Sequence, residues 1–320
     1  MRDLLDRLSA IKILVVGDLI LDHYIWGDVN RISPEAPVPI VHATNDSWAA
    51  GGAANVALNL SGLGVQTAIA GHVGKDEAGD RLCGILGDNQ VNFLKTDANQ
   101  KNTAPTIVKT RVMARSQQLC RIDREAPPEV YSRAFGISDT WLRQFVTDYH
   151  AVILSDYAKG TINQPLIDRL TKLCGNSNVL LAMDPKPSRK LDVSGMGLLT
   201  PNRSEAYEMV GLSSSLAGDS IEKVCKAIHE THQPQRLVIT LGADGMAVSA
   251  NGGVEQILPT EAKEVFDVSG AGDTVIAALT ASISAGESTF NAARFANRAA
   301  GIVVGHMGTV PITREELEAC

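Results

Sequence analysis

The chain has 320 residues, room for one large or two ordinary domains at roughly 150 residues each. Its 29 Lys and Arg against 36 Asp and Glu give a net charge of −7, and only 4% of residues are aromatic. Both figures argue against a surface that grips DNA or RNA by charge or by base stacking. Hydrophobic residues at 44% with 20% charged exclude wholesale disorder, and no apolar run approaches the ~18 residues of a membrane helix. The N-terminus, MRDLLDRLSAIKILVVGD, carries acids among its bases and runs straight into a strand, unlike a signal peptide. Cys83, Cys120, Cys174, Cys225 and Cys320 are scattered and odd in number. They read as reduced thiols of a cytoplasmic protein, with no disulfide framework or zinc site, Cys320 being open to accidental crosslinking.

In chain order, Ile11–Val16 is a buried strand, and Gly51–Leu63 has helical spacing at Val56, Leu60 and Leu63, stopped by Gly64 at C′. Further strands are expected at Thr67–Ala70, Ala151–Leu154, Val179–Met183 and Leu237–Leu241, with helices such as Asn163–Leu173 and Ser220–Thr231 between them. Continuous apolar strands alternating with helices predict an α/β fold, a mainly parallel sheet covered on both faces. Ligands of such sheets sit beyond the carboxyl ends of the strands. Two segments break the rhythm: Tyr24–Thr44 and Thr106–Asp123 look extended, with no helix between strands. They predict a small antiparallel sheet that lids a site or pairs with a second subunit, the plainer alternative being a surface excursion. With no repeat or linker, the expectation is one principal domain with a lid. His229-x-x-His232 falls at a helix end, where imidazole suits the negative dipole better than it suggests a metal site. The Asn-x-Ser strings at Asn59 and Asn202 read as coincidental.

The segment richest in chemistry is Asp267-Val-Ser-Gly-Ala-Gly-Asp273, which opens an apolar helix. Small residues Gly270, Ala271 and Gly272 at a helix start leave backbone N–H groups without intrahelical partners, an anion site suited to charge growing on a transferring phosphoryl group. Asp273 lies about one turn in and can accept a proton from an attacking hydroxyl. At an ordinary carboxylate pKa of ~3.9 it is a weak base, so the proton should move late. The bland alternative is a helix start with a capping acid. A dinucleotide fingerprint fails, because Val275 replaces the third glycine and the first strand leads into Gly17-Asp18; a Walker A loop fails at Gly74-Lys75-Asp76.

Gly51-Gly52-Ala-Ala-Asn55 entering a helix, followed about two hundred residues later by Asp267–Asp273, resembles the paired signatures of the ribokinase-like (PfkB) carbohydrate kinases. The resemblance implies a ribokinase-like three-layer sandwich with a small antiparallel β lid. It makes Gly51, Gly52 and Asn55 sugar contacts and Asp273 the catalytic base beside an anion hole at Gly270–Gly272. Without it, GGAAN is equally a glycine-eased turn and helix start. Asn202-Arg203-Ser204-Glu205 matches the family's NxxE element, which implies nucleotide phosphates and Mg²⁺, with Glu205 acting through water. The same residues also fit a capping box from Asn202 to Glu205. Thr240, Gly242 and Gly245 in TLGADG resemble the nucleotide loop, or else a tight turn between two strands. Lys186, after Asp184-Pro, can neutralise a phosphate as a point charge, and Asn297 falls where family members approach adenine.

Residues 27–41, 109–123 and 154–160 narrow the likeness to D-glycero-β-D-manno-heptose 7-phosphate kinases, a resemblance covering nearly the whole chain from about residue 10 to about residue 315. That implies ATP-dependent phosphorylation of the anomeric hydroxyl to give the 1,7-bisphosphate. Carboxylates Asp18 and Asp22 after the first strand become candidate sugar contacts. Among Arg31, Lys109, Arg111, Arg115 and Arg121, alternation puts Lys109 and Arg111 on one face, as candidates for the sugar phosphate. A solvated charged edge is the alternative. The expected ligands are ATP, Mg²⁺ and a sugar phosphate, with neither nucleic acid nor membrane as partner, and the expected assembly is a homodimer through the lid. Kinases of this kind are often fused to a nucleotidyltransferase bearing an HxGH-type motif, which Gly305-His-Met-Gly308 does not match. The chain is therefore expected to be a stand-alone kinase or the kinase half of a bifunctional enzyme. A PfkB kinase for another sugar, or a non-catalytic sugar- or nucleotide-binding regulator, are the rival readings.

Overall fold

The apolar runs form a nine-stranded sheet with a four-stranded sheet beside it. The computed structural model describes residues 2–96, 104–115, 117–212, 220–262 and 264–319; Cys320, and Ser116 within the second extended segment, lie outside them. Along the chain the strands are β1 (Lys12–Gly17), β2 (Leu19–Ile32), β3 (Pro39–Gly52), β4 (Gln66–Ala70), β5 (Asn92–Phe93), β6 (Ile107–Ala114) and β7 (Gln117–Arg124). There follow β8 (Ala151–Ser155), β9 (Leu180–Asp184), β10 (Leu198–Leu199), β11 (Leu237–Thr240), β12 (Met246–Ala250) and β13 (Gly253–Leu258).

The large sheet runs β13-β12-β11-β10-β9-β8-β1-β4-β5. It is parallel from β11 to β5, with β12 and β13 antiparallel at one edge. Alternation within β1 shows why both faces are covered. Ile13 and Val15 join a core with helices Ala53–Gly62, Ala271–Ser284 and Thr289–Val303, while Leu14 and Val16 join one with helices Asp139–Val146, Gln164–Ser177 and Ile221–His232. This is the expected α/β sandwich. Helix starts follow capping chemistry: Asn163 and Ser220 accept hydrogen bonds from Leu166 and Lys223 and sit one residue before their helices. His229 and His232 lie in a last helical turn, as expected.

The small antiparallel sheet is present as two antiparallel hairpins, β2–β3 and β6–β7, joined along a parallel β2–β6 seam. Its first hairpin is longer than the extended segment read from sequence, because buried Leu19, Ile20 and Leu21 continue β1 into β2 with only Asp18 between. The helix expected from Gly51 begins at Ala53, and Gly51 and Gly52 are the last residues of β3. Gly64 has φ +85°, the left-handed conformation of a C′ glycine. Among the described residues no helix is long and apolar enough to cross a membrane. Because β1, β8, β9 and β11 are parallel, their carboxyl ends bring Asp18, Tyr157, Asp184 and Thr240 to one edge.

Candidate active site

Helix Ala271–Ser284 points its N-terminus at that edge. Gly270 takes φ +80°, which a Cβ would oppose, and the Asp267 carboxylate braces the turn by accepting from Ser269 N (2.8 Å) and Gly308 N (3.1 Å). Not all of the expected amides are open: Ala271 N donates to Val268 O at 3.2 Å. Ala271 is thereby corrected from anion contact to part of the turn. Among the described residues the N–H groups of Gly272 and Asp273 donate to no protein atom, and the helix dipole adds partial positive charge there.

Asp273 is buried, 6% exposed, and each of its oxygens accepts one fixed donor. Tyr157 OH donates to Oδ1 at 2.5 Å, and Asn55 Nδ2 donates to Oδ2 at 2.8 Å. Burial pushes the carboxyl pKa up to about 6, against the pull of Tyr157, Asn55 and Lys186. The ordinary carboxylate basicity assumed from sequence is thus too low, and proton uptake from an alcohol is easier than that value implied. Asn55 is itself held from one helical turn on. Asn59 Nδ2 donates to Asn55 O (2.9 Å), while Asn59 Oδ1 accepts from Thr274 Oγ1 (2.9 Å) and Ile312 N (3.1 Å). Asn59 is fully buried, consistent with its Asn-x-Ser string being coincidental.

Gly51 and Gly52 allow a close approach at the end of β3. A Cβ on Gly51 would stand 2.3 Å from Asp22 Oδ2, and one on Gly52, at φ +56°, would stand 2.6 Å from Asp18 O. Asp22 pairs with Arg111 at 2.5 Å, so this guanidinium already has a carboxylate partner. Lys109, opposite Asp22 in register, is half-buried, and among the described residues it forms no ion pair. Burial and then Lys159 lower its pKa, with Asp123 pulling the other way. Arg121 is taken up by Asp123 (2.8 Å), and Arg115 reaches Asp28 at 3.8 Å. Asp18 needs correction. It is fully buried, with Oδ2 accepting from Tyr157 N (2.9 Å) and Lys159 N (3.0 Å) and Oδ1 from Thr161 N (2.9 Å). Its oxygens are taken up in shaping the loop after β8.

Toward β11 lies a mostly apolar slot of about 280 Å³, walled by Gly242, Gly245, Val275, Ala300 and Val304 among others. A smaller polar hollow of about 170 Å³ is lined by Tyr157, Asp184, Lys186, Glu205 and Asp273. Thr240 and Gly272 line both, so the two adjoin. Lys186 Nζ bridges Asp184 (3.2 Å) and Glu205 (2.5 Å). Burial raises the Asp184 pKa, and the two carboxylates outweigh burial to raise that of Lys186. The capping-box reading holds: Glu205 N donates to Asn202 Oδ1 (3.0 Å) and Asn202 N to Glu205 Oε2 (2.9 Å). Arg203 pairs with Asp244 (2.5 Å), tying this helix to the Gly242–Gly245 turn. Ser204 is exposed in the first turn. Asn297 lines the slot, but its Nδ2 donates to Pro259 O at 2.6 Å, which fixes the rim. Larger hollows beside Pro185–Ser194 and beside Trp48 contain neither Asp273 nor its amides.

The geometry therefore brings together Asp273, Gly270, Gly272, Asn55, Lys186, Asn202, Glu205, Thr240 and the Asp22–Arg111 pair. Sequence reasoning missed Tyr157 and the Asn59–Thr274 pair, whose contacts lie 116 and 215 residues apart in the chain. Tyr157 does lie in residues 154–160, one of the segments that carries the heptose-kinase likeness, two residues past β8. Such a site can take a proton from an alcohol at a point where open amides face incoming negative charge.

Residues 10–315 match the pfkB family carbohydrate kinases. Among curated relatives, Bifunctional protein HldE of Sulfurimonas denitrificans is 39% identical over 307 residues, covering 96% of this chain and 63% of that protein. Bifunctional protein HldE of Pasteurella multocida is 41% identical over 310 residues with the same shares. The chain thus spans about 63% of the length of these curated relatives. Among solved structures, Arabidopsis thaliana ribokinase complexed with ribose and ATP has a TM-score of 0.73 at 22% identity, covering 96% of this chain and 97% of that one. Phosphofructokinase-2 from Escherichia coli in complex with substrates and products has a TM-score of 0.73 at 17% identity, covering 97% of each chain. The fold is ribokinase-like.

Proposed function

This chain belongs to the pfkB family of carbohydrate kinases, and we propose that it transfers the terminal phosphoryl group of ATP to the anomeric hydroxyl of D-glycero-β-D-manno-heptose 7-phosphate, giving the 1,7-bisphosphate. The observation that carries the reading is Asp273. It is a buried carboxylate with pKa about 6, lining a polar hollow that adjoins an apolar slot, with unpartnered Gly272 and Asp273 amides beside it. In the proposed arrangement adenine occupies the slot, and the phosphates pass Thr240 and Gly272 toward Lys186. The sugar lies over Gly51, Gly52 and Asn55 beside Asp22. Its hydroxyl oxygen attacks the terminal phosphorus as the bond to the ADP oxygen breaks, and its proton passes to Asp273. The open amides meet the charge growing on the phosphoryl oxygens, so positioning and electrostatics supply most of the catalysis.

Lys109, half-buried and without an ion-pair partner among the described residues, supports a phosphate-bearing acceptor. Arg111, paired with Asp22, is better suited to orienting that carboxylate. The heptose assignment rests on the resemblance of residues 27–41, 109–123 and 154–160, and relatives named bifunctional HldE agree with it. The donor set at Glu205 fits Mg²⁺ held through water, since both carboxylate oxygens already accept from Lys186 and Asn202. Mg²⁺ would supply charge neutralisation of the ATP phosphates. A homodimer through the second sheet is part of the proposal, supported by Ile32 and Ile122, which stand 62% and 58% exposed on it. The test is a panel of phosphorylated and free sugars with ADP release measured and the product position read by phosphorus NMR. Turnover with heptose 7-phosphate and a new anomeric phosphate is expected; preference for an unphosphorylated sugar would overturn the assignment.

A further inference from the structure

The segment Leu154–Gly160 is held more tightly than a connecting loop requires. Asp18 accepts the backbone N–H groups of Tyr157, Lys159 and Thr161, and Asp156 Oδ1 accepts from Ala158 N (2.8 Å) and Arg189 Nη1 (3.0 Å). Ala158 takes φ +59°, and Gly160, at φ +108°, lies so near Pro128 that a Cβ would stand 2.1 Å from its carbonyl oxygen. Lys159 reaches Glu125, just past β7 (2.6 Å). What this bracing presents to the cleft is one phenol, Tyr157, whose hydroxyl donates to Asp273 Oδ1.

We infer that Tyr157 is a positioning residue for phosphoryl transfer: anchored through Asp18, it fixes the Asp273 carboxylate opposite the Asn55 amide. The inference rests on the reading of Asp273 as the base. A carboxylate has about four acceptor positions. Tyr157 takes one on Oδ1 and Asn55 one on Oδ2, which leaves the positions facing the polar hollow for the sugar hydroxyl. The phenol hydrogen bond favours the ionised carboxylate against burial, alongside Asn55 and Lys186, while Asp22 and Asp184 act in the opposite sense. The phenol keeps its own proton, since burial and the Asp273 charge raise its pKa well above the ordinary value. It therefore donates without competing as a base.

The test is a pH profile of Tyr157→Phe in the full chain, with the sugar that the wild-type chain phosphorylates best. If the wild type turns over no sugar, the kinase reading fails; with any active acceptor, the test addresses Tyr157 alone. Tyr157→Phe keeps the ring and loses the donor. Its acid limb in kcat/KM should move up by about one pH unit and kcat at pH 7 should fall roughly 10- to 100-fold, with KM for ATP within about twofold. Titration of the substrate phosphates is common to every variant and cancels in the comparison. Should that variant fold poorly, 3,5-difluorotyrosine at position 157 provides a stronger donor of nearly the same shape and should move the limb down. A limb that stays in place in both proteins, whatever happens to kcat, overturns the inference.

Discussion

Replacing Gly270 by alanine separates backbone strain from a specific contact at the site. Gly270 sits at φ +80°, where an L side chain costs about 1–2 kcal/mol. The new Cβ would also stand 2.8 Å from Asn55 Nδ2, the donor to Asp273, and 3.2 Å from Thr309 Cγ2. Gly64 is the matched control, with φ +85° and nothing within 4 Å of its ideal Cβ. Both variants should lose a few °C in Tm, since ~1 kcal/mol moves Tm by about 2–4 °C in domains of 150–250 residues. Only Gly270→Ala should lose turnover as well. A hydrogen bond to a charged group contributes roughly 1.5–3 kcal/mol, so displacing Asn55 predicts a fall in kcat of about 10- to 150-fold. Differential scanning calorimetry and steady-state kinetics on the two proteins supply the comparison. Equal kcat values in Gly270→Ala and Gly64→Ala would refute the argument that Gly270 is small to make room for Asn55.

Because the Asp273 pKa is raised to about 6, the base is protonated and unable to accept below that pH. kcat/KM should therefore fall about tenfold per pH unit under pH 6 and level off above it, as read from initial rates at pH 4.5–8.5. Lys186→Met leaves Asp184 and Glu205 facing each other, and urea unfolding at pH 8 should show a loss of roughly 3 kcal/mol, the low end for a broken buried pair because 26% of the lysine side chain is exposed. That loss should shrink as pH falls and Asp184, its pKa already raised by burial, takes up a proton. Lys109→Met should raise KM for a phosphorylated sugar at least tenfold, on the order of one charge-assisted hydrogen bond, and leave KM for ATP unchanged; equal changes in both would remove Lys109 from the sugar side.

What the sequence made legible was the part that local physics determines. Gly52 at φ +56° and Gly270 at φ +80° are positions where the backbone itself demands glycine, so GGAAN and GAGD were readable as motifs. The Asn202–Glu205 spacing gave its capping box for the same reason. Alternation placed Lys109 and Arg111 on one face of β6, but it could not say that Asp22 takes the arginine and leaves the lysine, because that choice depends on the register between β2 and β6. Asp18 shows the converse failure. A carboxylate after the first strand looks ready for a ligand, yet it satisfies three backbone N–H groups of a loop some 140 positions on. Tyr157 was invisible because its meaning lies in a contact 116 residues away. The raised basicity of Asp273 was invisible because burial is a property of the whole fold.

Calorimetric ATP binding set beside turnover in Asp273→Asn bears most directly on the account. Asp273 lines the polar hollow but not the apolar slot, so ATP affinity should stay within about twofold while kcat drops by roughly 10²–10⁴, the usual contribution of a positioned base. Turnover close to wild type with ATP still bound would contradict it.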